Sequence, residues 1–497
     1  MDGARFEQVR DSIRQMMVED AIPSVSVAVA QGSEVLWEEG FGWADRERRV
    51  AATPHTMYSL ASISKPITAT GLMVLVERGE VDLDQPVNAY LGDAKLTARA
   101  GGEEGATVRR VANHTSGLPL HYQFFYADEP FARPPMDETI RRYGNLIRRP
   151  GERYQYSNLG YGVLDNVVSR VSGKPFADFM REEVFLPLGM THASIDLPPY
   201  LAEFEAKRYG SDGVPYPFYD FDHPGASAVY CSAHDLLRFG MFHLGTLPDA
   251  KEILTPRARR EMQQPTAVME DDPGESKHGY GIGWAGTPAG DALPRVSHSG
   301  GMGGVSTNLV LVPGEGIAVV VLTNGGARLS NATGRVTAAI LSTLFPERRE
   351  HLQGELQQAE EAVRRLREPK EPRAVSELDH RLVGEWRGEV HTYLGTIPLV
   401  LRCRESGDIQ ARLGDAPWTL VNDAALDGDH FSGQMLGTIE TPDVRRRDQQ
   451  LHFDLTLRGD ILNGALIAMT PFKSEGGAPG KRVGNALNHW IELRRAD

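Results

Sequence analysis

Valines alternate with small residues at Val25, Val27 and Val29, break at Gln31-Gly32-Ser33, and apolar side chains resume at Val35-Leu36-Trp37. That spacing predicts a strand, a turn and a second strand. The same pattern returns from Asn308 to Val312, breaks at Pro313-Gly314-Glu315-Gly316, and continues from Ile317 to Leu322. Two hairpins at opposite ends of residues 1–345 are expected to join in one antiparallel sheet. Between them, Leu72, Met73, Leu75 and Val76 extend an amphipathic helix that begins at Pro66, and Tyr161 to Val171 forms another apolar-periodic run. Asn331 to Leu344 predicts a helix covering the last hairpin. Strands at both ends with helices and long loops between them predict an α+β fold with a helical subdomain, not repeated βαβ units.

The pattern changes after residue 345. Residues 351–367 are rich in Glu, Gln, Arg and Leu and predict a surface helix, and Glu368-Pro369-Lys370-Glu371-Pro372-Arg373 has the composition of a linker. From Leu378 onward, short β-prone runs recur around Trp386, Leu399, Ile409, Trp418, Leu451, Ile461 and Trp490, separated by Gly, Asp and Asn. They predict a small antiparallel β-barrel. The expected organisation is one unit over 1–345, a helical spacer and linker over 346–376, and a barrel over 377–497. The last segment holds no nucleophile constellation, which points to an accessory part that shapes access or assembly.

A chain of 497 residues can bury a full-sized core, and its net charge of -14 is spread along its length. Such a surface discourages contact with a nucleic-acid backbone. The basic runs Arg46-Glu47-Arg48-Arg49 and Arg445-Arg446-Arg447 lack aromatic interleaving and read as solvated turns. Cys231 and Cys403 match neither a metal spacing nor a disulfide framework and are expected to be buried neutral thiols. The N-terminus reads as an amphipathic helix, no window suits a membrane span, and a cytoplasmic location is the expectation.

Candidate chemistry begins at Ser62-Ile63-Ser64-Lys65, where a β-prone approach, Tyr58-Ser59-Leu60, gives way to the helical run. A serine hydroxyl is a poor nucleophile near neutral pH and needs a base. An amine three residues on lies one helical turn away on the same face, and burial brings its pKa toward neutrality. Near a helix start, Ser62 also meets backbone N–H groups suited to an oxyanion. Ser64 does not share a face with Lys65 and is expected to be structural.

A second cluster, Pro150-Gly151-Glu152-Arg153-Tyr154-Gln155-Tyr156-Ser157-Asn158, precedes a helix. Tyr156 there can relay a proton and Asn158 can orient Lys65 or hold a substrate amide, the plainer reading being a Tyr-rich turn with a helix cap. In the third, His298-Ser299-Gly300-Gly301-Met302-Gly303-Gly304, glycines on an edge strand permit close backbone approach. His298 would place a titratable ring in the cleft, with the Gly301 N–H as second oxyanion donor. An incidental histidine in a glycine-rich turn is the alternative.

Taken in order, Ser62-x-x-Lys65, Tyr156-Ser157-Asn158 and His298-Ser299-Gly300 resemble the three motifs of serine β-lactamase-like and penicillin-binding-protein-like hydrolases. The strings His114-Thr115-Ser116-Gly117-Leu118-Pro119 and Leu186-Pro187-Leu188-Gly189-Met190 are similar to the same superfamily. The resemblance covers residues 10–345 and implies a β-lactamase-like antiparallel sheet flanked by helices. It implies acyl transfer through a covalent acyl-serine, without cofactor or metal. Ser62 would be the nucleophile, Lys65 the base, Tyr156 and Asn158 the second motif, and the Ser62 and Gly301 N–H groups the oxyanion hole. Asn158, His298 and Gly300 would hold the substrate, a small molecule or short peptide.

One departure bears on substrate. Where the third motif carries lysine it supplies a permanent cation for a substrate carboxylate, whereas histidine is mostly neutral at pH 7. This variation looks more like the family's peptidases, aminopeptidases and esterases than its dedicated β-lactamases. Leu382-Val383-Gly384-Glu385-Trp386-Arg387-Gly388 and the strands after it look like the lipocalin-like barrels attached to some peptidase-type members, which tips the expectation toward peptide or amide bonds, D-amino-acid peptides included. The other readings are a carboxylesterase, a non-catalytic binding protein of the same fold, and a metal hydrolase using His114, His121, His192, His223, His234 or His298. A homo-oligomer is left open.

Overall fold

The valines of Ser24–Gln31 and the alanines between them are both buried, because the sheet they belong to is covered on both faces. Val25, Val27 and Val29 meet the helices Glu7–Glu19 and Ala332–Leu344, while Ala28 and Ala30 share the opposite face with the residues beneath helix Ala233–Leu244. The computed structural model describes residues 3–269, 278–288, 290–325, 331–367, 379–441, 449–470 and 484–496. The linker expected at Glu368 to Arg373, the expected barrel start at Leu378 and the run Arg445 to Arg447 lie outside them.

The two hairpins join as expected: Ser24–Gln31 pairs antiparallel with Ile317–Thr323, with Val27 opposite Val321. Among the described residues the sheet has nine strands, in the order Ala267–Val268, Gly279–Tyr280, Ala285–Gly286, Val296–Met302, Val305–Val312, Ile317–Thr323, Ser24–Gln31, Glu34–Asp45 and Val50–Ala51. Residues far apart in sequence thereby share its centre, and residues 64–244 between the hairpins supply most of the helices packed beside it.

Helix Ser64–Glu77 departs from the amphipathic expectation. Every residue from Ser64 to Leu75 is buried, since the helix runs through the middle of the molecule against helix Asn158–Ser172 and the short helix Pro224–Ser227. A helix apolar all round is a core helix, so polar groups it carries are desolvated.

Beyond helix Arg349–Arg367 the chain forms a second antiparallel sheet of nine strands among the described residues. Its first strand, Gly384–Thr392, pairs with its last, Ala486–Arg495, and its edges, Thr419–Leu420 and Asn422–Asp427, are consecutive in the chain with only Val421 between them. The sheet therefore curls into a nearly closed, barrel-like meander. Strand Gln449–Arg458 shows the period: Leu451, Phe453, Leu455 and Leu457 point inward and their neighbours outward.

Trp386 plugs this sheet near its start. It is fully buried, its Nε1–H donates to the Leu382 carbonyl at 2.8 Å, and the Arg495 guanidinium lies over its ring at 4.3 Å. Trp386→Ala should lower stability by about 3–5 kcal/mol, with Trp386→Phe costing less, as read from urea unfolding. A loss below about 0.5 kcal/mol would show that the ring does not anchor the barrel.

Candidate active site

Ser62 sits on a single turn, Ala61–Ile63, between strand Met57–Ser59 and helix Ser64–Glu77. The turn is tightly held. Leu60 N–H donates to Val229 O at 2.8 Å, the Thr307 hydroxyl donates to Leu60 O at 2.9 Å, and Ala61 is driven to φ 49°, a left-handed conformation costly for a residue with a Cβ. Ser64 is structural as expected: its side chain is buried and its Oγ accepts the Val229 N–H at 3.1 Å.

Lys65 follows on the first helical turn and is completely buried. Its Nζ lies 3.1 Å from Ser62 Oγ, 2.8 Å from Asn158 Oδ1 and 3.3 Å from Ala226 O. All three partners are uncharged, and burial pushes the amine well below its usual pKa. A neutral amine has two N–H bonds and a lone pair. With the N–H bonds given to Asn158 Oδ1 and Ala226 O, the lone pair is left for the Ser62 O–H.

The sequence brings these acceptors in from two sides. Ser157 caps helix Asn158–Ser172, its side chain accepting the Gly160 N–H, which sets Asn158 at the first helical position facing Lys65. Ala226 belongs to Pro224–Ser227, where the Thr68 hydroxyl donates to Gly225 O at 2.7 Å and the Gly225 N–H donates to Asp165 Oδ2 at 2.6 Å. Burial pushes the Asp165 carboxyl up to about 8.

Tyr156 is half-buried beside Ser62, and the two hydroxyls interact. The Lys65 amine lies 4.7 Å from the Tyr156 ring centre and 5.8 Å from that of Tyr161. Burial raises the Tyr156 pKa more than the Ser62 contact lowers it, so the phenol keeps its proton.

The residue behind Tyr156 is His114, to which the sequence motifs assign no role in the acyl-transfer site. Its carbonyl accepts the Gln155 N–H at 2.7 Å and its Nδ1 accepts the Ser157 N–H at 3.2 Å, so one residue holds the backbone on both sides of Tyr156. Its ring lies 4.4 Å from the tyrosine ring, and burial keeps it neutral. The Ala226 carbonyl is invisible in the sequence for another reason: a backbone acceptor leaves no mark in the residue code.

His298 lies on Val296–Met302 and is almost fully buried. Its Nδ1 is 2.7 Å from the Ser299 carbonyl, which can only accept, so the proton is on Nδ1 and Nε2 receives the Tyr280 hydroxyl at 3.0 Å. Burial brings its pKa down to about 3. The ring is thus uncharged with both nitrogens engaged. Of the six histidines named above, none belongs to the one group of converging potential ligands among the described residues, Asp291, His351 and Glu355, whose two carboxylates face Arg295.

The strand after His298 approaches the serine turn closely. A Cβ on Gly300 would lie 2.1 Å from Leu60 O and 2.3 Å from Thr307 Oγ1, whereas one on Gly301 would meet nothing within 4 Å. Of strand Val296–Met302, only Val296 and Ser297 pair with strand Ala285–Gly286, so from His298 to Met302 the outer edge has no strand partner among the described residues. Ser299 and Gly301 are exposed along it. Cys231 and Cys403 are buried free thiols, raised in pKa by burial.

These contacts separate the two glycines. Gly300→Ala should force the strand from the Ser62 turn and cost about 1–3 kcal/mol of stability, while Gly301→Ala should leave the melting temperature unchanged. Equal thermal unfolding of the two variants would show that the close approach is not what positions the turn.

The chain is 29% identical over 345 residues to penicillin-binding protein 4 of Amycolatopsis lactamdurans, covering 66% of this chain and 87% of that one. It is 27% identical over 310 residues to penicillin-binding protein 4* of Bacillus subtilis, covering 57% and 64% respectively, so it spans less than two thirds of that relative. An unguisins hydrolase of Aspergillus campestris is 26% identical over 330 residues, covering 63% of this chain and 60% of that one. Among solved structures, the octameric penicillin-binding protein homologue from Pyrococcus abyssi matches with a TM-score of 0.60 at 22% identity, over 98% of this chain and 100% of that one. A class C beta-lactamase matches with a TM-score of 0.59 at 21% identity, over 69% and 97%; these two likenesses show the fold. The beta-lactamase family profile matches residues 9–343, and the chain belongs to this family of serine hydrolases.

Proposed function

We propose that the protein cleaves peptide or amide bonds of small molecules or short peptides, D-amino-acid peptides included, through a covalent acyl-serine formed on Ser62. The observation that carries the chemistry is the Lys65 amine, desolvated and shared among Ser62 Oγ, Asn158 Oδ1 and Ala226 O. Lys65 Nζ takes the Ser62 proton as Oγ attacks the substrate carbonyl carbon. The resulting oxyanion is held by the Ser62 and Gly301 N–H groups. Its collapse breaks the bond to the leaving amine, which receives the proton from Lys65 relayed through Tyr156. Water then attacks the acyl-serine, giving up a proton by the same relay, and the carboxylic acid leaves with Ser62 restored.

The free edge from His298 to Met302 supports a peptide substrate, since an extended backbone can pair along it beside the nucleophile. Neutral His298 offers no permanent cation for a substrate carboxylate, which favours amides and peptides over β-lactams. The names of the relatives, two penicillin-binding proteins and a hydrolase, support acyl chemistry of this class. Residues 1–345 are the unit we assign to the reaction, and residues 377–497 a lipocalin-like accessory barrel. The up-and-down meander and Trp386 support that reading of the barrel, and the octameric homologue supports a homo-oligomeric form. Among the described residues no helix is long and apolar enough to cross a membrane.

The reading predicts a fluorophosphonate adduct on Ser62 by intact mass, absent in Ser62→Ala. It further predicts that aminoacyl p-nitroanilides, which carry no carboxylate, turn over faster than nitrocefin in a side-by-side assay. Turnover of short acyl esters alone would make the protein an esterase and end the amide assignment.

A pH profile tests the base. Lys65 must be neutral to accept the Ser62 proton, so kcat/KM should fall as pH drops through the amine's lowered pKa and should not fall through a tyrosine ionisation near neutrality, Tyr156 being raised. His298, at about 3, should add no limb between about pH 5 and about pH 9. An acid limb that vanished in His298→Asn would assign the base to the histidine instead.

A further inference from the structure

The barrel contributes buried polar groups to the region that holds Tyr156. Asp454, on strand Gln449–Arg458, points out of the barrel and receives hydrogen bonds from three side chains: Arg148, which is only 3% exposed, Gln155 through Nε2 at 2.7 Å, and His430 through Nε2 at 2.9 Å. Arg148 also donates through Nε to Gln155 Oε1 at 2.8 Å and through Nη1 to Thr456 Oγ1 at 3.1 Å. Both ends of the Gln155 amide are therefore fixed, one by the barrel's carboxylate and one by the arginine that carboxylate holds. Gln155 immediately precedes Tyr156, and its backbone N–H is tied to His114.

A second contact reaches the other side of Lys65. Asn488 of the barrel lies 3.3 Å from His121 Nδ1, and His121 Nε2–H donates to Asp222 Oδ2 at 2.5 Å. Asp222 also receives the His223 Nδ1–H at 2.5 Å, three residues before Ala226. Around these contacts Tyr122 and Ala486 exchange backbone hydrogen bonds at 2.9 and 2.8 Å, and Ile147, Ile467, Ala486 and Trp490 form an apolar seam. Each of the two carbonyl oxygens that orient Lys65 thus comes from an arm gripped by the barrel: Asn158 from the Gln155 arm and Ala226 from the Asp222 arm.

We propose that Asp454 is a positioning residue for the acyl-transfer site: through Arg148 and Gln155 it fixes the segment that sets Tyr156 and Asn158 against Ser62 and Lys65. The inference deepens the acyl-serine reading and rests on it. A paired carboxylate suits the role. Burial alone would raise Asp454, yet the His430 hydrogen bond and the Arg148 charge outweigh burial and bring it down to about 2, so it stays ionised across the working range. Asparagine at this position keeps the size but loses the charge that anchors Arg148.

The test compares full-length wild type with Asp454→Asn, both checked for folding by circular dichroism and assayed well below their melting temperatures. Ser62 labelling by a fluorophosphonate and steady-state hydrolysis of p-nitrophenyl acetate are the readouts. A positioning role predicts that the labelling rate and kcat each fall by about tenfold or more, with KM changed by less than about twofold. A folded variant whose labelling rate and kcat match wild type would overturn the proposal, whatever happens to its melting temperature. If Asp454→Asn does not fold, Gln155→Met removes the same link from the catalytic side, with the same two outcomes. A wild-type protein that is never labelled at Ser62 fails the acyl-serine reading itself, and the role assigned to Asp454 falls with it.

Discussion

An amine buried without a counter-charge is the constraint around which the rest of this fold is arranged. Removing an ammonium group from water costs several kcal/mol unless it is paired, and the lysine avoids that cost by giving up its proton. Among the described residues, Lys65 has no carboxylate as a hydrogen-bond partner. The groups around it are kept neutral in turn: burial depresses His114 and His298 and raises Tyr156 and Tyr161. A cluster of titratable side chains all held in their uncharged forms can pass a proton among its members without first creating an isolated buried charge.

Such a site has to be assembled from distant stretches of chain, and the sheet order does it. Pairing the first hairpin with the last sets Thr307 against Leu60, so the serine turn is pinned by a strand almost 250 residues away. The helix carrying Lys65 then has nowhere to go but through the core, and its desolvation follows from its path. The arrangement accounts for the strain at Ala61 and for the lack of a side chain at Gly300, since both sit where the turn and the strand are closest.

Much of this arrangement is legible in the residue pattern. The hairpins declare themselves by alternation, and their joining follows because strands with apolar residues on both faces need cover on both sides. The meander after residue 378 is visible as recurring short β-prone runs separated by Gly, Asp and Asn. The expectation of an amphipathic helix after Lys65 fails because its polar residues are not solvated: Thr68 and Thr70 are buried, each with a hydrogen-bond partner. His114 and the Ala226 carbonyl are illegible for the reason that makes them useful: they act on backbone groups, or are backbone groups, and only the folded path shows what they touch.

The barrel illustrates how accessory structure acquires influence over a site it does not enter. An apolar seam alone would hold it in place, and Ile467, Ala486 and Trp490 supply one. Desolvated polar links demand more, because each leaves an unsatisfied group if its partner moves. Arg148 is nearly inaccessible and bonded to both Asp454 and Thr456 of the barrel, so shifting the barrel would strand a buried charge on the segment that leads to Asn158. Buried polar networks favour one geometry over its neighbours more sharply than apolar contacts do. An amine whose lone pair is aimed at a single hydroxyl is the kind of group that benefits from such selectivity, and the polar part of the interface lies behind one of its acceptors, Asn158.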